Sequence, residues 1–225
     1  MFVRASTDPV FRLSSLGVLG MESDSNPVVS LNEFTYRKGM EIYGEKEPAD
    51  YVYRVKSGAV RSYKLLSDGR RQIGAFHLLG DIFGLESGGE HQFTTEAIVD
   101  TTVRLIKRHS LDSLAANDAL VARNLLSMTM DNLRHAENHM LLLGRKTSQE
   151  RVAAFLLEMD KRLTAAGVMV LPRSRRDIAD YLGLTLETVS RVLSRLHELG
   201  ILGFVGHNQR QIALLDRRQL AGLDR

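Results

Sequence analysis

The sequence contains no cysteine, and that absence removes disulfide staples, thiolate metal sites, iron–sulfur clusters and cysteine nucleophiles together. Thiol redox sensing goes with them. No apolar run approaches the roughly 18 to 20 residues needed to cross a bilayer. The start, Met1-Phe2-Val3-Arg4-Ala5-Ser6, leads into no sustained apolar stretch or small-residue cleavage site. The protein is therefore expected in the cytoplasm. No nucleophile–base pair, phosphate-binding loop or metal motif is recognisable, so an enzyme is not expected. His77, His91, His109, His135, His139, His197 and His207 are dispersed without metal-ligand spacing. His135 and His139, one helical turn apart, read as a helix face rather than a metal site. No metal or other cofactor is expected.

What is present is a soluble globular composition of 225 residues, 44% hydrophobic and 25% charged, enough for one large domain or two modest ones. The net charge of +3 conceals an asymmetry about Arg145. Up to that residue there are 17 basic and 18 acidic side chains; beyond it there are 13 and 9. A basic excess in the smaller part points to a polyanionic partner, because phosphate neutralisation by Lys and Arg supplies most non-specific nucleic-acid affinity.

From about Val28 to Lys107 the pattern is one of short strands. Tyr51-Val52-Tyr53-Arg54-Val55, Ala59 to Leu65 and Thr102 to Ile106 are rich in β-branched and aromatic residues and largely alternate. Turn signals punctuate them at Arg37-Lys38-Gly39, Lys56-Ser57-Gly58, Ser67-Asp68-Gly69, Leu79-Gly80-Asp81 and Ser87-Gly88-Gly89. Such spacing suggests a jelly roll or barrel. From Asp118 to about Arg145 the period changes. Leu126, Met130, Leu133 and Met140 form one helical stripe, interrupted by Glu137. A helix of that length reaches roughly 40 Å at ~1.5 Å per residue, more than the face of a small barrel covers. A second copy of the same helix is the simplest partner for the remainder, which makes these four residues the expected homodimer interface.

Thr147-Ser148-Gln149-Glu150 is a capping box that begins a further helix, with Val152, Phe155, Leu156 and Met159 on its apolar face. A hinge is expected at Gly144 to Thr147. Ser174-Arg175-Arg176-Asp177 then caps a short helix through Leu182, Gly183 supplies positive φ for a tight turn, and Thr185 caps the next helix. Along that helix Val189, Val192, Leu193 and Leu196 face inward, which turns Leu186, Glu187, Ser190, Arg191 and Arg195 outward. A helix-turn-helix places its second helix in the major groove with its first turns on base edges. The exposed residues have the chemistry to read those edges. Glu187 can accept from the cytosine amine, Arg191 can donate a bidentate pair to guanine, and Ser190 and Leu186 can meet less demanding edges or a thymine methyl. Ser174, Arg175, Arg176, Thr185, Thr188 and Arg195 are the expected backbone contacts. Gly200 to Val205 and Gln211 to Leu214 read as the two strands of a wing whose tip carries His207 and Arg210, further candidates for phosphate or sugar.

With these residues in place, the chain resembles the CRP/FNR family of bacterial transcription regulators, and most closely its FixK-type branch. The resemblance rests on Arg176-Asp177-Ile178-Ala179-Asp180-Tyr181-Leu182-Gly183-Leu184-Thr185 with Glu187-Thr188-Val189-Ser190-Arg191, and on Gly39, Gly58, Gly69, Gly80-Asp81 and Gly84. From about Val28 onward it implies an α+β chain: a cyclic-nucleotide-binding-like β-roll over 28–117, a dimerisation helix over 118–145 and a winged helix-turn-helix over 146–225; residues 1–27, outside the resemblance, are expected to be a loose arm. It implies that Glu187, Ser190 and Arg191 read bases in a TTGA-type inverted repeat of double-stranded DNA, and that the protein acts as an activator in contact with RNA polymerase. Bent operator DNA is implied as well.

The departures carry as much information. Cyclic-nucleotide-binding members have an arginine-serine pair after the acidic residue of the roll, whereas Gly84-Leu85-Glu86 here leads on to Gly89-Glu90-His91-Gln92-Phe93-Thr94-Thr95. With no arginine to pair the cyclic phosphate, cAMP is not expected to bind. The reading adopted is a regulator active without an effector. Its alternative is a roll that receives a small molecule and reorients the paired helices.

Overall fold

The computed structural model describes residues 32–86, 89–165, 168–170, 174–205 and 211–223. The arm expected over 1–27, the start of the roll expected at 28–31, the turn expected at Ser87 and Gly88, and the expected wing-tip contacts His207 and Arg210 lie outside the described residues. Two compact units divide between Glu137 and Asn138.

Among the described residues the first unit holds eight strands: β1 (Asn32–Tyr36), β2 (Glu41–Tyr43), β3 (Tyr51–Ser57), β4 (Val60–Leu65), β5 (Arg71–His77), β6 (Ile82–Phe83), β7 (Thr94–Ala97) and β8 (Thr101–Lys107). They form two four-stranded sheets, β1-β8-β3-β6 and β2-β7-β4-β5, with every pair antiparallel. Alternation explains which faces meet. In β4, Val60 and Ser62 are buried while Arg61 and Tyr63 are only half-buried, and across the pair Val60 meets Ala97 and Ser62 meets Thr95. Tyr43, Tyr53, Val55, Val60, Phe83 and Val103 make one core cluster from strands of both sheets. The expected turns at Gly39, Gly58, Gly69 and Gly80 all have glycine at positive φ.

Two helices follow the roll. α1 (Arg108–Asn117) is a helix for which the sequence pattern offers no clear stripe. It is held from outside: Leu111 packs with Val52, Ile82, Ile106 and Val121, and the Arg108 guanidinium donates to the carbonyls of Ala49 and Gly84 at 2.7 and 2.6 Å. α2 (Ala119–Arg145) begins on the Asp118 carboxylate, which accepts from the amides of Leu120 and Val121. Of its 27 residues only Val121 and Asn132 are buried. The expected stripe is uncovered in the single chain, with Leu126 57%, Met130 51%, Leu133 52% and Met140 66% exposed. The helix runs on through Gly144 to Arg145, so the break in the chain falls at Lys146 and Thr147.

In the second unit α3 (Ser148–Leu163) starts with the Thr147 and Glu150 capping box and buries Val152, Ala153, Phe155, Leu156 and Met159. α4 (Arg175–Leu182) and α5 (Leu186–Glu198) follow, and α6 (Arg217–Leu223) is tied to α3 by the Arg217–Asp160 ion pair at 2.7 Å. The sheet is larger than the expected hairpin. β9 (Thr164–Ala165) and β10 (Val168–Val170) join β11 (Leu202–Val205) and β12 (Gln211–Leu214) in the order β11-β12-β10-β9. The first wing strand begins at Leu202 rather than at Gly200. Gly200, at φ 70°, ends α5 by donating to His197, while the Ile201 amide donates to Leu196, so both amides belong to the helix stop rather than to a ladder.

Candidate nucleic-acid interface

Local chemistry fixes both helices of the helix-turn-helix. Ser174 caps α4: its hydroxyl accepts from the Asp177 amide at 3.1 Å, and the Asp177 carboxylate accepts from the Ser174 amide at 3.2 Å. The same hydroxyl also donates to that carboxylate at 3.0 Å. Gly183, with φ 61° and ψ 38°, closes the turn in the left-handed region where a side chain is strained. Thr185 caps α5 by accepting from the Thr188 amide at 3.1 Å. The underside of the pair is apolar and closed, with Ile178, Ala179, Tyr181, Leu182, Val189, Leu193 and Leu196 all buried.

The opposite face of α5 is polar and open. Glu187 and Arg191 are exposed and Ser190 is half-buried between them, so residues at i, i+3 and i+4 emerge on one surface. Its own backbone amide, and then the Thr185 hydroxyl, hold the Glu187 carboxyl below the usual carboxylate range, with Arg176 and Arg191 adding to the effect. Glu187 is thus an ionised acceptor at neutral pH. The Arg191 guanidinium lies 3.4 Å from the Thr188 hydroxyl, leaving most of its fork of donors on the open side. Arg176 and Thr185 are exposed, and Thr188 and Leu186 are half-buried. Arg195 is exposed further along, 3.7 Å from Glu198.

Arg175 is placed differently from Arg176. Its guanidinium lies over the Phe204 ring of β11, 5.6 Å from the centroid, so one cation is displayed and its neighbour is steadied against the wing. Phe204 is a residue that sequence reasoning read only as strand. No local period pairs it with Arg175, because the sheet makes the contact.

The interior of the roll has another character. His91 stacks on Tyr43 with ring centroids 3.5 Å apart, Tyr53 on Phe83 at 5.2 Å, and His77 on Phe83 at 4.7 Å. The Ser62 hydroxyl bonds both His77 Nε2 and the Thr95 hydroxyl at 2.9 Å, and His91 Nδ1 donates to Glu86 at 3.3 Å. Burial works to raise the Glu86 carboxyl, but the hydrogen bonds from His91 and from its own backbone outweigh it and leave it lowered. Burial pushes the Tyr43 phenol well up. Among the described residues no three metal-ligating groups cluster, and no helix is long and apolar enough to cross a membrane.

Comparison with known proteins matches residues 150–223 to the Crp-like helix-turn-helix domain and residues 33–118 to the cyclic nucleotide-binding domain. The nitrogen fixation regulation protein FixK of Rhizobium meliloti (strain 1021) is 44% identical over 168 residues, 75% of this chain and 76% of that protein. The transcriptional activatory protein AadR of Rhodopseudomonas palustris is 40% identical over 159 residues, 69% of this chain and 66% of its own length. Among solved structures, FixK2 from Bradyrhizobium japonicum is 68% identical with a TM-score of 0.84, covering 87% of this chain and 98% of that one.

Proposed function

We propose, from the premise that the chain belongs to the CRP/FNR family of transcription regulators and to its FixK-type branch, that it is an activator which binds a TTGA-type inverted repeat as a homodimer and needs no cyclic nucleotide. DNA-binding transcription regulation, not catalysis, is the work of its relatives and of this chain. The observation that carries the finer reading is the open face of α5, where Glu187, Ser190 and Arg191 stand together at the start of the helix. An ionised glutamate beside an arginine fork matches the amine of cytosine and the acceptor edge of guanine in one G·C pair. Ser190 would meet a neighbouring A·T pair, and Leu186 a thymine methyl.

Backbone contacts would come from Arg176, Thr185, Thr188 and Arg195, with Arg175 braced on Phe204 beside them. His207 and Arg210 are the wing's candidates. The uncovered stripe of Leu126, Met130, Leu133 and Met140 supports a second copy as the partner of α2, since apolar side chains more than half exposed along one helix gain from burial. Independence from a cyclic nucleotide is supported by the roll interior, where the chain's own rings and hydroxyls stack and bond with one another. An activator would also contact RNA polymerase, in line with the name of the AadR relative.

The test is a selection of bound duplexes from a random pool, repeated with cyclic nucleotides present. The expected result is enrichment of an inverted repeat with half-sites about one helical turn, roughly 34 Å, apart, unchanged by the nucleotides. A pool that enriches no inverted repeat removes the proposal.

A further inference from the structure

Arg151 stands in the first turn of α3, where a cation opposes the helix dipole. Its guanidinium nevertheless has three backbone partners, none in the body of its own helix. Nε donates to Lys146 at 2.9 Å, Nη2 to Leu143 at 2.8 Å, and Nη1 to Leu182 at 2.9 Å. Leu143 lies in the last turn of α2 and Lys146 just beyond it; Leu182 is the last residue of α4. The last carbonyls of a helix have no partner within it and carry the negative end of the dipole. One planar cation therefore satisfies the loose ends of two helices at once.

A second contact acts beside it. His139 of α2 stacks on Tyr181 of α4 with ring centroids 4.2 Å apart and planes 9° from parallel, and its Nε2 donates to the Tyr181 carbonyl at 3.0 Å. Burial lowers the His139 pKa, which favours the neutral ring. The turn itself sits in the joint: a Cβ added at Gly183 would touch Arg151 Nη1 and Leu143 Cδ2, both at 3.5 Å. Two successive carbonyls of α4, at Tyr181 and Leu182, are thus held by side chains from α2 and α3. The Leu184 amide donates to Ala179, so the residue entering α5 is fixed to the same short helix.

We propose that Arg151 is the positioning residue that locks the helix-turn-helix to the end of α2, and thereby sets which half-site spacing the dimer accepts. The second clause rests on the inverted-repeat reading above; the first does not. If the joint is rigid, the angle at which α5 leaves the end of α2 is a fixed property of each protomer. Two protomers joined along α2 then present their reading helices at one separation. Lysine cannot replace the arginine, because an ammonium is a point donor on a flexible stem and cannot span three carbonyls in a plane.

The experiment compares the wild type with Arg151→Ala and Arg151→Lys in the full chain by two readouts. Hydrogen exchange without DNA reads the lock: protection over Ile178 to Leu184 should fall about tenfold, on the scale of one lost charged hydrogen bond, while Val189 to Leu196 keep theirs. Gel shifts on duplexes with the selected spacer and with spacers changed by one or two base pairs read the consequence. Arg151→Ala should bind the selected spacer about tenfold more weakly and lose most of its preference over the altered spacers, with base preferences within a half-site unchanged. Arg151→Lys should show the same changes in smaller degree, and it decides the matter if the alanine variant does not fold. A folded variant with wild-type exchange and wild-type spacer preference overturns the proposal. So does lost protection with an unaltered spacer preference, which would leave Arg151 a stabilising residue only. If the wild type enriches no inverted repeat, the functional reading falls on its own and the exchange data still judge the lock.

Discussion

The two units use the same kinds of side chain in opposite ways. In the roll, histidine, tyrosine, serine and threonine turn inward and meet one another: His91 on Tyr43, His77 on Phe83, Ser62 between His77 and Thr95. In the helix-turn-helix, glutamate, serine and arginine turn outward over a closed apolar underside. A buried polar group must find its partner within the chain or lose about 1 to 3 kcal/mol. An exposed one held in a fixed geometry keeps its hydrogen-bonding capacity for a ligand. The comparison teaches that one chain can turn the same chemistry inward to hold a core and outward to present a surface.

The contrast is sharpest where a substitution should harm one property and spare the other. Tyr43→Ala removes a buried ring from the stack with His91, Tyr53 and Phe83, and should lower stability by about 3 to 5 kcal/mol, measured by denaturant unfolding. An interior lined for a ligand rather than packed would tolerate the change far better. Arg191→Ala should leave unfolding unchanged yet cost about 1 to 3 kcal/mol of binding and relax specificity at one base pair, read by gel shifts on single-substitution duplexes. Equal losses on every sequence would break the assignment of this face as a reader.

Ser174→Ala tests whether its hydroxyl serves the fold or the DNA. Loss of the capping box should cost about 1 kcal/mol of stability while leaving the DNA affinity of the folded protein as it was. An affinity lowered evenly on every sequence, in a variant that is still folded, would place the Ser174 hydroxyl on the DNA backbone. The smallest effect expected is the pH response of His139. Its folded pKa is lowered by burial, so below about 6.5, the ordinary value, the unfolded chain takes up a proton that the folded chain resists. Stability should be fully present above that pH and decline as the pH falls from there toward the lowered folded value. His139→Gln should flatten that part of the melting-temperature profile relative to the wild type; parallel profiles would contradict the assignment.

Much of this was legible along the chain. Thr147 with Glu150, Ser174 with Asp177, Gly183 and Thr185 act within a few residues of themselves, so their types and spacing announce the helix boundaries. The period of α5 separates its buried Val189, Leu193 and Leu196 from its open Glu187 and Arg191 in the same way. Less legible were α1, whose place comes from Leu111 and Arg108 docking on the roll, and β9 and β10, which are too short to show a period. Arg151 left one faint trace, a cation in the first turn of a helix.

By itself the sequence determined the caps of α3, α4 and α5 and the faces that α3 and α5 bury, because propensity, capping and periodicity are local interactions that need no knowledge of distant residues. The tertiary structure alone decided that Arg175 braces on Phe204, that His91 stacks on Tyr43 inside the roll, and that one arginine joins the ends of α2 and α4. Each of those depends on chain segments distant in sequence arriving at the same few ångströms, and burial and unsatisfied backbone groups, rather than any local pattern, dictate which ones do.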